Sequence, residues 1–313
     1  MERISFVIPC YCSQDTLESV VREISGSMQS LYNYTYEVIL INDCSPDNTL
    51  SVIEKLAKQY SWIKGIDLAK NFGQHAALMA GFREATGDIV VCLDDDGQTP
   101  ANEAPKLLDK IEQGYDVVYA SYESKQHSAF RNWGSRINCK MTEIMLAKPK
   151  DLTVTSYFAM RRFVMEEILR YEQCYPYVMG LVLRTTQNIG NVQVQHRART
   201  TGQSGYTLRK LIALWMNGFT SFSVKPLRIA TYMGVITAGA GFLYLLYIVI
   251  RHFVNGAAPL GWSSTMAILL LLGGMILMVL GLIGEYVGRI FMCSNAAPQY
   301  VVRRVITGEE QAK

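Results

Sequence analysis

The sequence lacks a strong charge of either sign. Its 30 Lys and Arg residues nearly balance 27 Asp and Glu residues, so the net charge is only +3, and the basic residues form no long run. Binding to nucleic acid depends on clustered positive charge. The chain therefore has little support as a nucleic-acid-binding protein.

Cysteine motifs and an N-terminal targeting signal are also lacking. The seven cysteines show neither C-x-x-C pairs nor the spacing of metal ligands, which argues against a disulfide framework and a structural zinc site. Residues 1–8 run straight into a strand-like segment instead of a charged region followed by a long apolar one. No secretory signal peptide is predicted, so the N-terminal domain is expected to stay in the cytoplasm.

Short apolar runs rich in β-branched residues alternate with segments of helical length in the first part of the chain. The runs cover residues 4–8, 37–41, 63–68, 89–93 and 117–120. This alternation predicts an α/β fold with a mostly parallel sheet. Capping residues and prolines mark helix starts before residues 49–60 and 101–113.

Two apolar stretches in the last third of the chain predict a membrane hairpin. Residues 229–250 and 265–286 are nearly uncharged, and each is long enough to cross a hydrocarbon layer of ~30 Å. Basic residues flank the pair on both outer sides, whereas the loop between them offers Arg251 as its one full positive charge. The positive-inside bias then puts both ends of the chain in the cytoplasm.

The sequence thus divides into four parts. Residues 1–203 are predicted to form the α/β domain, and residues 204–228 an amphipathic helix on the membrane surface, because its apolar side chains share one face. The hairpin occupies residues 229–290, and residues 291–313 are expected to be a cytoplasmic tail. A stripe of glycines would let helices approach closely, within the hairpin or between copies in a homo-oligomer: Gly281, Gly284 and Gly288.

Polar clusters follow three of the predicted strands, at residues 9–11, 42–45 and 94–96. Ligands of open α/β sheets bind beyond the carboxyl ends of the strands, so these clusters should meet in one crevice. The Asp43 carboxylate can accept the imino proton of a nucleobase, although alone it is equally a turn residue. Asp94 and Asp96 can direct two carboxylates at Mg²⁺ or Mn²⁺ on a diphosphate, although a capping acidic loop explains their spacing equally often.

Four longer motifs carry a resemblance to a known family. They are VIPCY from Val7, INDCSPDNT from Ile41, NFGQHAALMAGF from Asn71 and GDIVVCLDDDGQTP from Gly87. Together they resemble the GT-A domain of family-2 glycosyltransferases. Within that family they resemble the polyprenyl-phosphate glycosyltransferases, which include dolichyl-phosphate mannose synthase and the undecaprenyl-phosphate glucose and aminoarabinose transferases. The resemblance continues through an Arg-x-x-Gly-x-Ser-x-Tyr pattern at residues 199–206 and reaches the second apolar stretch.

The resemblance implies roles for residues that bind the sugar donor and for residues that bind the acceptor. It implies nucleotide-sugar binding by Pro9, Tyr11, Asp43, Asp94, Asp95 and Gln98. It implies that Mg²⁺ or Mn²⁺ is held by Asp94 and Asp96, and that the acceptor phosphate is bound by Arg131, Ser135, Arg199 and Ser204. The catalytic residues would then be Asp94, Asp96, Arg131 and Arg199. Taken alone, Arg131 would be a solvated surface charge.

The resemblance also implies a reaction and a location. The protein would be a multi-pass enzyme of the bacterial cytoplasmic membrane, with its catalytic domain and both termini in the cytoplasm. It would move a sugar, with inversion, from a nucleotide-sugar donor, expected to be a UDP-sugar, to undecaprenyl or another polyprenyl phosphate, for cell-envelope glycan synthesis or modification. Because a phosphate monoester is already largely ionised at neutral pH, this acceptor has little need of a general base.

The sequence departs from the family pattern around the sugar and acceptor pocket. Cys44 stands where a glycine is usual, Asn42 replaces an acidic residue, and Ser156 and Phe158 stand where many relatives have Asp and Arg. These changes indicate a donor sugar other than aminoarabinose. Two alternatives stay open, namely a glycosyltransferase acting on another lipid-linked acceptor and a catalytically silent scaffold that binds sugar nucleotides.

Overall fold

The computed structural model describes residues 1–122, 149, 151–195, 225–255, 261–295 and 297–308. The chain divides into two compact units. One comprises Met1–Ile212 with Ala297–Lys313, and the other comprises Ala213–Ala296. Most of the predicted surface helix at residues 204–228 lies outside the described residues.

Across the described residues, the first unit contains an eight-stranded sheet. Its strands are β1 (Glu2–Cys10), β2 (Tyr34–Asn42), β3 (Ile63–Leu68), β4 (Ile89–Cys92), β5 (Val117–Tyr122), β6 (Phe158–Arg161), β7 (Ile189–Val194) and β8 (Val302–Ile306). Their order across the sheet is β7-β5-β6-β4-β1-β2-β3-β8. The pairs β4–β1, β1–β2, β2–β3 and β5–β7 are parallel, which confirms the predicted α/β fold with a mostly parallel sheet.

Helices connect and cover the strands of this sheet. They are α1 (Leu17–Met28), α2 (Thr49–Gln59), α3 (Gln74–Glu84), α4 (Ala104–Glu112), α5 (Arg162–Leu169) and α6 (Val178–Thr185). The predicted starts of α2 and α4 are confirmed to within a turn, since a 3₁₀ turn at Ala101–Glu103 precedes α4. Residues 4–8 of β1 are buried without interruption, which is the pattern of a strand covered on both faces.

Glycines determine the position of α3 against the sheet. A Cβ atom at Gly81 would lie 2.5 Å from Cγ1 of Val7 and 2.8 Å from Cδ1 of Ile41, so only glycine permits this close approach. Gly73, just before the helix, has a φ of 89°, in the region that glycine tolerates best. In the 71–82 motif, Gly81 therefore serves the packing of α3 on the sheet, and Gly73 serves the backbone conformation before the helix.

The sequence analysis did not predict strands β6, β7 and β8. Strand β6 runs antiparallel between β4 and β5, so those two strands are not neighbours. Strand β8 is antiparallel to β3 at the sheet edge. The expectation of a tail over residues 291–313 is therefore wrong for residues 302–306. Two arginines in this short strand, Arg303 and Arg304, obscure its β pattern.

The second unit contains two long helices, α7 (Lys225–Asn255) and α8 (Trp262–Ser294), at the predicted hairpin. Within the described part of the chain, one stretch is long and apolar enough to cross a membrane, Leu272–Ser294 in α8. A first span within α7 stays a prediction. Cβ atoms added at Gly281, Gly284 and Gly288 would meet no described heavy atom within 4 Å, so this stripe does not serve helix contact between the described residues.

Glu37 is a buried carboxylate that ties β2 to β1 and to the turn before β4. It is 5% exposed and accepts hydrogen bonds from the Ser5 hydroxyl at 2.6 Å and the Thr86 amide at 2.8 Å. Its other oxygen pairs with Arg3 at 3.0 Å. Burial opposes ionisation, but these donors and the guanidinium outweigh it and hold the pKa of Glu37 below its ordinary value.

We expect Glu37→Gln to lower the free energy of unfolding by about 1.5–3 kcal/mol at neutral pH, the range for hydrogen bonds to charged groups. Because the folded-state pKa is lowered, this stabilisation is present above the unfolded-state pKa and is lost as the pH falls through the folded-state value. Denaturant unfolding of the detergent-purified protein at neutral and acid pH measures the effect.

The exposed Glu18 pairs with Arg22 on α1 and offers a control, since Glu18→Gln should change stability little. The stability difference between wild type and Glu37→Gln should shrink below about pH 4. A difference that stays constant across the two pH values would contradict an ionised, stabilising Glu37.

Candidate active site

The carboxyl ends of β1, β2 and β4 meet at one edge of the sheet. The ladder between β1 and β2 ends with Cys10 opposite Asn42, and β4 lies on the other side of β1. The Tyr11 amide donates a hydrogen bond of 2.9 Å to Oδ2 of Asp95, and the Thr16 hydroxyl donates one of 2.6 Å to the Asp95 carbonyl. The loop after β1 is thus joined to the acidic turn after β4, as predicted.

Asp94, the first residue of the acidic turn, is held by two neutral donors. Its Oδ1 accepts a hydrogen bond of 2.9 Å from the side-chain amide of Gln74, the first residue of α3. Its Oδ2 accepts one from the hydroxyl of Ser156. Burial, together with repulsion from Asp96 and Asp95, raises the pKa of Asp94 to about 6, and the Ser156 and Gln74 bonds oppose this rise. The carboxylate is therefore fixed in orientation and lies in a region of excess negative charge.

The contacts of Gln74 and Ser156 with Asp94 were not predicted. Gln74 belongs to the NFGQHAALMAGF motif, and its position directly after Gly73 at a helix start was the available signal. Ser156 was noted as a departure from the acidic residue of many relatives. A second carboxylate there would face Asp94 with like charge, whereas the serine hydroxyl donates a hydrogen bond.

Backbone amides hold the rest of the acidic turn. The Oδ1 atom of Asp96 accepts a hydrogen bond of 3.0 Å from the Gln98 amide, across Gly97 with a φ of 71°. Burial raises the pKa of Asp95, and the bond from the Tyr11 amide partly offsets this. Gln98 therefore contributes its backbone to the turn, and its predicted contact with a nucleotide sugar stays a prediction.

Asp43 organises the loop before α3. Its two carboxylate oxygens accept hydrogen bonds from the amides of Phe72, at 2.7 Å, and Gly73, at 2.8 Å. Its carbonyl accepts one of 3.2 Å from the Asn71 side chain. Asp43 is only 4% exposed, and burial raises its pKa against the two amide bonds. The proposed contact of Asp43 with a nucleobase stays a prediction, whereas its role in the loop is visible.

The predicted donor-side residues lie together at these strand ends. They are Pro9, the penultimate residue of β1, with Tyr11, Asp43, Asp94, Asp95, Asp96 and Gln98. The predicted acceptor residues lie outside the described part of the chain: Arg131, Ser135, Arg199 and Ser204.

The acidic turn suits a divalent cation that is shared with a diphosphate. In the described ranges, no group of three or more His, Cys, Asp or Glu residues forms a complete metal site. Asp94 and Asp96 nevertheless offer hard oxygen atoms where negative charge accumulates. Mg²⁺ is commonly bound by one or two carboxylates, with water and substrate phosphates as the other ligands. The residues present fit such a shared cation.

A mostly parallel α/β sheet with an acidic turn after a central strand defines a GT-A type transferase domain. Residues 5–169 match the family described as Glycosyl transferase family 2, and residues 225–290 match the GtrB C-terminal hairpin. The chain therefore belongs to glycosyl transferase family 2 and is a glycosyltransferase.

Curated relatives match this chain over nearly its whole length. It is 33% identical to the undecaprenyl-phosphate 4-deoxy-4-formamido-L-arabinose transferase of Proteus mirabilis, over 98% of this chain and 94% of that protein. It is 31% identical to the uncharacterized glycosyltransferase YkcC of Bacillus subtilis, over 96% of this chain and 93% of that protein.

A solved structure also resembles this chain. Glucosyl-3-phosphoglycerate synthase from Mycobacterium tuberculosis, crystallised with Mn²⁺ and UDP-glucose, matches with a TM-score of 0.50. The match covers 68% of this chain and 75% of that chain, at 19% identity. At this identity the likeness concerns the fold alone, and it agrees with the GT-A architecture.

We expect Asp43→Asn to loosen the loop before α3, because an amide offers one acceptor oxygen to the two backbone amides that the carboxylate now satisfies. The loss should be about 1–3 kcal/mol of folding stability. Hydrogen exchange of a peptide covering residues 69–80 should become faster. Asp15→Asn, in the exposed loop after β1, is the control, and unchanged exchange in Asp43→Asn would refute the loop role.

Proposed function

We propose that the chain transfers a sugar from a nucleotide-sugar donor, a UDP-sugar, to undecaprenyl or another polyprenyl phosphate, with inversion at the anomeric carbon. The observation that carries the proposal is the acidic turn after β4, in which Gln74 and Ser156 fix Asp94 at the meeting point of three strand ends. The relatives named as undecaprenyl-phosphate transferases support the acceptor. The product would serve cell-envelope glycan synthesis or modification.

The donor half of the site is proposed to lie between the loop after β1 and the acidic turn. Pro9, Tyr11 and Asp43 would face the nucleotide, while Asp95 and Gln98 hold the adjoining turns. Asp94 and Asp96 would hold Mg²⁺ or Mn²⁺ against the diphosphate. When bound, the cation neutralises negative charge on the departing nucleoside diphosphate.

The acceptor half rests on residues outside the described ranges, Arg131, Ser135, Arg199 and Ser204. The arginines would position the lipid phosphate, because a guanidinium matches phosphate oxygens with two parallel hydrogen bonds. A phosphate oxygen attacks the anomeric carbon as the bond from that carbon to the diphosphate breaks. The second pKa of a phosphate monoester is about 6, so the nucleophile is already largely ionised.

Ser156 agrees with this acceptor. Its hydroxyl donates to Asp94, so it orients a carboxylate instead of removing a proton from the acceptor. A sugar hydroxyl acceptor would need a general base, whereas an ionised phosphate does not. The neutral residue at this position is therefore compatible with transfer to a lipid phosphate.

A membrane location is part of the proposal. The second unit would cross the bacterial cytoplasmic membrane twice, with the catalytic domain, the surface helix at 204–228 and both termini on the cytoplasmic side. The apolar stretch Leu272–Ser294 and the match of residues 225–290 to a hairpin family support this. The acceptor lipid would then reach the site from the membrane in which the hairpin lies.

The direct test is to incubate detergent-purified protein with undecaprenyl phosphate and a panel of labelled sugar nucleotides. A lipid-soluble labelled product that needs both the protein and the lipid phosphate is expected with one donor. Transfer of label only when a lipid-linked glycan is supplied in place of undecaprenyl phosphate would favour the other acceptor class. No transfer with any donor or lipid acceptor would contradict the proposal.

We expect Asp96→Asn to abolish transfer while the protein still folds and inserts, because the amide keeps the shape of the side chain but removes the charge that fixes the cation. Loss of this stabilisation should slow transfer roughly a thousandfold or more. EDTA should have the same effect on wild type. Ser156→Ala should be far milder, since the acceptor carries its own negative charge.

Both variants are compared with and without EDTA at matched thermal stability. Near-normal, EDTA-resistant turnover by Asp96→Asn would show that the mechanism does not depend on a cation at this turn. A larger loss of transfer activity in Ser156→Ala than in Asp96→Asn would also show that the mechanism does not depend on a cation at this turn.

We expect Ser263→Cys, between the two proposed spans, to react with a membrane-impermeant thiol reagent added to intact cells, because the loop between the spans would face outward. Labelling of the protein without this substitution measures the background reaction of its native cysteines. Labelling that appears only after permeabilisation would exclude the proposed topology.

A further inference from the structure

Strand β8, which follows the hairpin in sequence, lies at the sheet edge close to the loops of the candidate donor site. It pairs with β3 so that Asp67 lies opposite Arg304. The Ala69 amide donates a hydrogen bond of 2.9 Å to the Val301 carbonyl, which extends the pairing toward the loop before α3. A segment remote in sequence therefore borders the residues that carry the site.

Arg303 of β8 pairs with a buried carboxylate at the end of β3. Its Nη1 lies 3.2 Å from Oδ2 of Asp67, and its Nη2 donates a hydrogen bond of 3.1 Å to the Ala69 carbonyl. Asp67 is 1% exposed. A buried carboxylate needs a charged or hydrogen-bonding partner, since leaving it unpaired is strongly unfavourable. Arg304 lies farther from Asp67, at 3.9 Å, and also pairs with Glu54.

The second oxygen of Asp67 connects this pair to the turn after β2. Oδ1 of Asp67 accepts a hydrogen bond of 2.8 Å from the side-chain amide of Asn42. The side-chain oxygen of Asn42 accepts one of 3.1 Å from the Ser45 amide. An asparagine suits this place because it donates to a carboxylate on one side and accepts from an amide on the other. An acid at position 42 would put two carboxylates in contact.

The turn that Asn42 closes contains two features of the candidate donor site. It carries Asp43, which holds the loop before α3, and Cys44, whose φ of 50° is in the left-handed region that is costly for a residue other than glycine. The Ser45 hydroxyl also accepts a hydrogen bond of 2.8 Å from the Cys12 amide, in the loop after β1. A path of polar contacts thus runs from Arg303 in β8 through Asp67, Asn42 and Ser45 to the loop after β1. Asp43, in the same turn, connects this path to the loop before α3.

We propose that Arg303 is a positioning residue for the nucleotide donor, acting through Asp67 and Asn42 on the turn at residues 42–45. The segment that follows the hairpin is then part of the donor site's support. This inference rests on the proposed nucleotide-sugar donor. Without Arg303, Asp67 loses its nearer guanidinium and keeps Arg304 at 3.9 Å. The carboxylate is then held less firmly against Asn42, so the strained turn loosens and the loop after β1 loses its support.

The test uses the full-length protein in detergent, titrated with UDP, GDP and dTDP, followed by transfer kinetics with the matching sugar nucleotide. Arg303→Ala should weaken binding of the preferred nucleoside diphosphate, and raise the donor KM, by about tenfold or more, while kcat changes much less. Gln299→Ala is the matched control. Gln299 anchors the same segment through two hydrogen bonds, to the carbonyls of Tyr171 and Gln173, but lies outside the path.

A double-mutant cycle separates positioning from a general loss of structure. Asn42→Ala leaves the pair of Arg303 and Asp67 intact but removes the connection, so it should weaken nucleotide binding as Arg303→Ala does. Because both residues act along one path, the double variant should lose little more than either single variant. Arg303→Gln removes the charge beside Asp67 but keeps most of the side chain's length, and it replaces Arg303→Ala in the cycle if that variant does not fold.

The outcomes distinguish this inference from the proposed function. Wild-type binding to none of the three nucleotides would overturn the donor class and this assignment with it. Normal nucleotide binding by wild type and by folded Arg303 variants alike would overturn the positioning role alone. If the double variant loses as much nucleotide-binding free energy as the two single variants together, the positioning role is also overturned, because Arg303 would then not act through Asn42.

Discussion

Three consecutive carboxylates placed directly after a buried strand determine how the surrounding residues of the candidate site are arranged. Asp94, Asp95 and Asp96 repel one another where burial already disfavours charge, and the raised pKa values of Asp94 and Asp95 express this. The surrounding residues are arranged to keep the turn in one conformation. Side-chain donors hold Asp94, and backbone amides hold its two neighbours.

This arrangement explains why elements far apart in sequence converge. Helix α3 must approach the sheet closely for Gln74 to reach Asp94, and Gly81 permits that approach by leaving room for Val7 and Ile41. The loop before α3 is in turn fixed by Asp43, directly after β2. The packing of α3, the orientation of the acidic turn and the geometry of the candidate donor site therefore depend on one another.

The central strands could be predicted from sequence because parallel strands buried on both faces leave uninterrupted apolar runs. Strands β6, β7 and β8 could not be predicted in this way. Strand β6 has four residues, and it separates β4 from β5 by antiparallel pairing that no local pattern announces. Strand β8 carries adjacent arginines, and its partner β3 is far away in sequence. The place of β8 in the sheet depends on a tertiary contact, the ion pair of Arg303 with the buried Asp67.

The candidate site, like the fold, could be predicted from the sequence only in part. The positions of Asp43, Asp94 and Asp96 followed from their places after strands, since strand ends of a parallel sheet share one edge. The contacts of Gln74 and Ser156 did not follow, because they depend on how α3 and the segment before β6 pack against β4. Asn42 was noted only as a departure from the family, and its reason appears once Asp67 is seen beside it.

The proposed binding of a divalent cation at the acidic turn, together with the diphosphate of the donor, can be measured. Electron paramagnetic resonance of Mn²⁺ titrated into the full-length protein, with and without UDP, measures this directly. We expect one Mn²⁺ per chain, bound more tightly with UDP present, and loss of this binding in Asp94→Asn. Mn²⁺ binding that is absent, or that Asp94→Asn leaves unchanged, would contradict it.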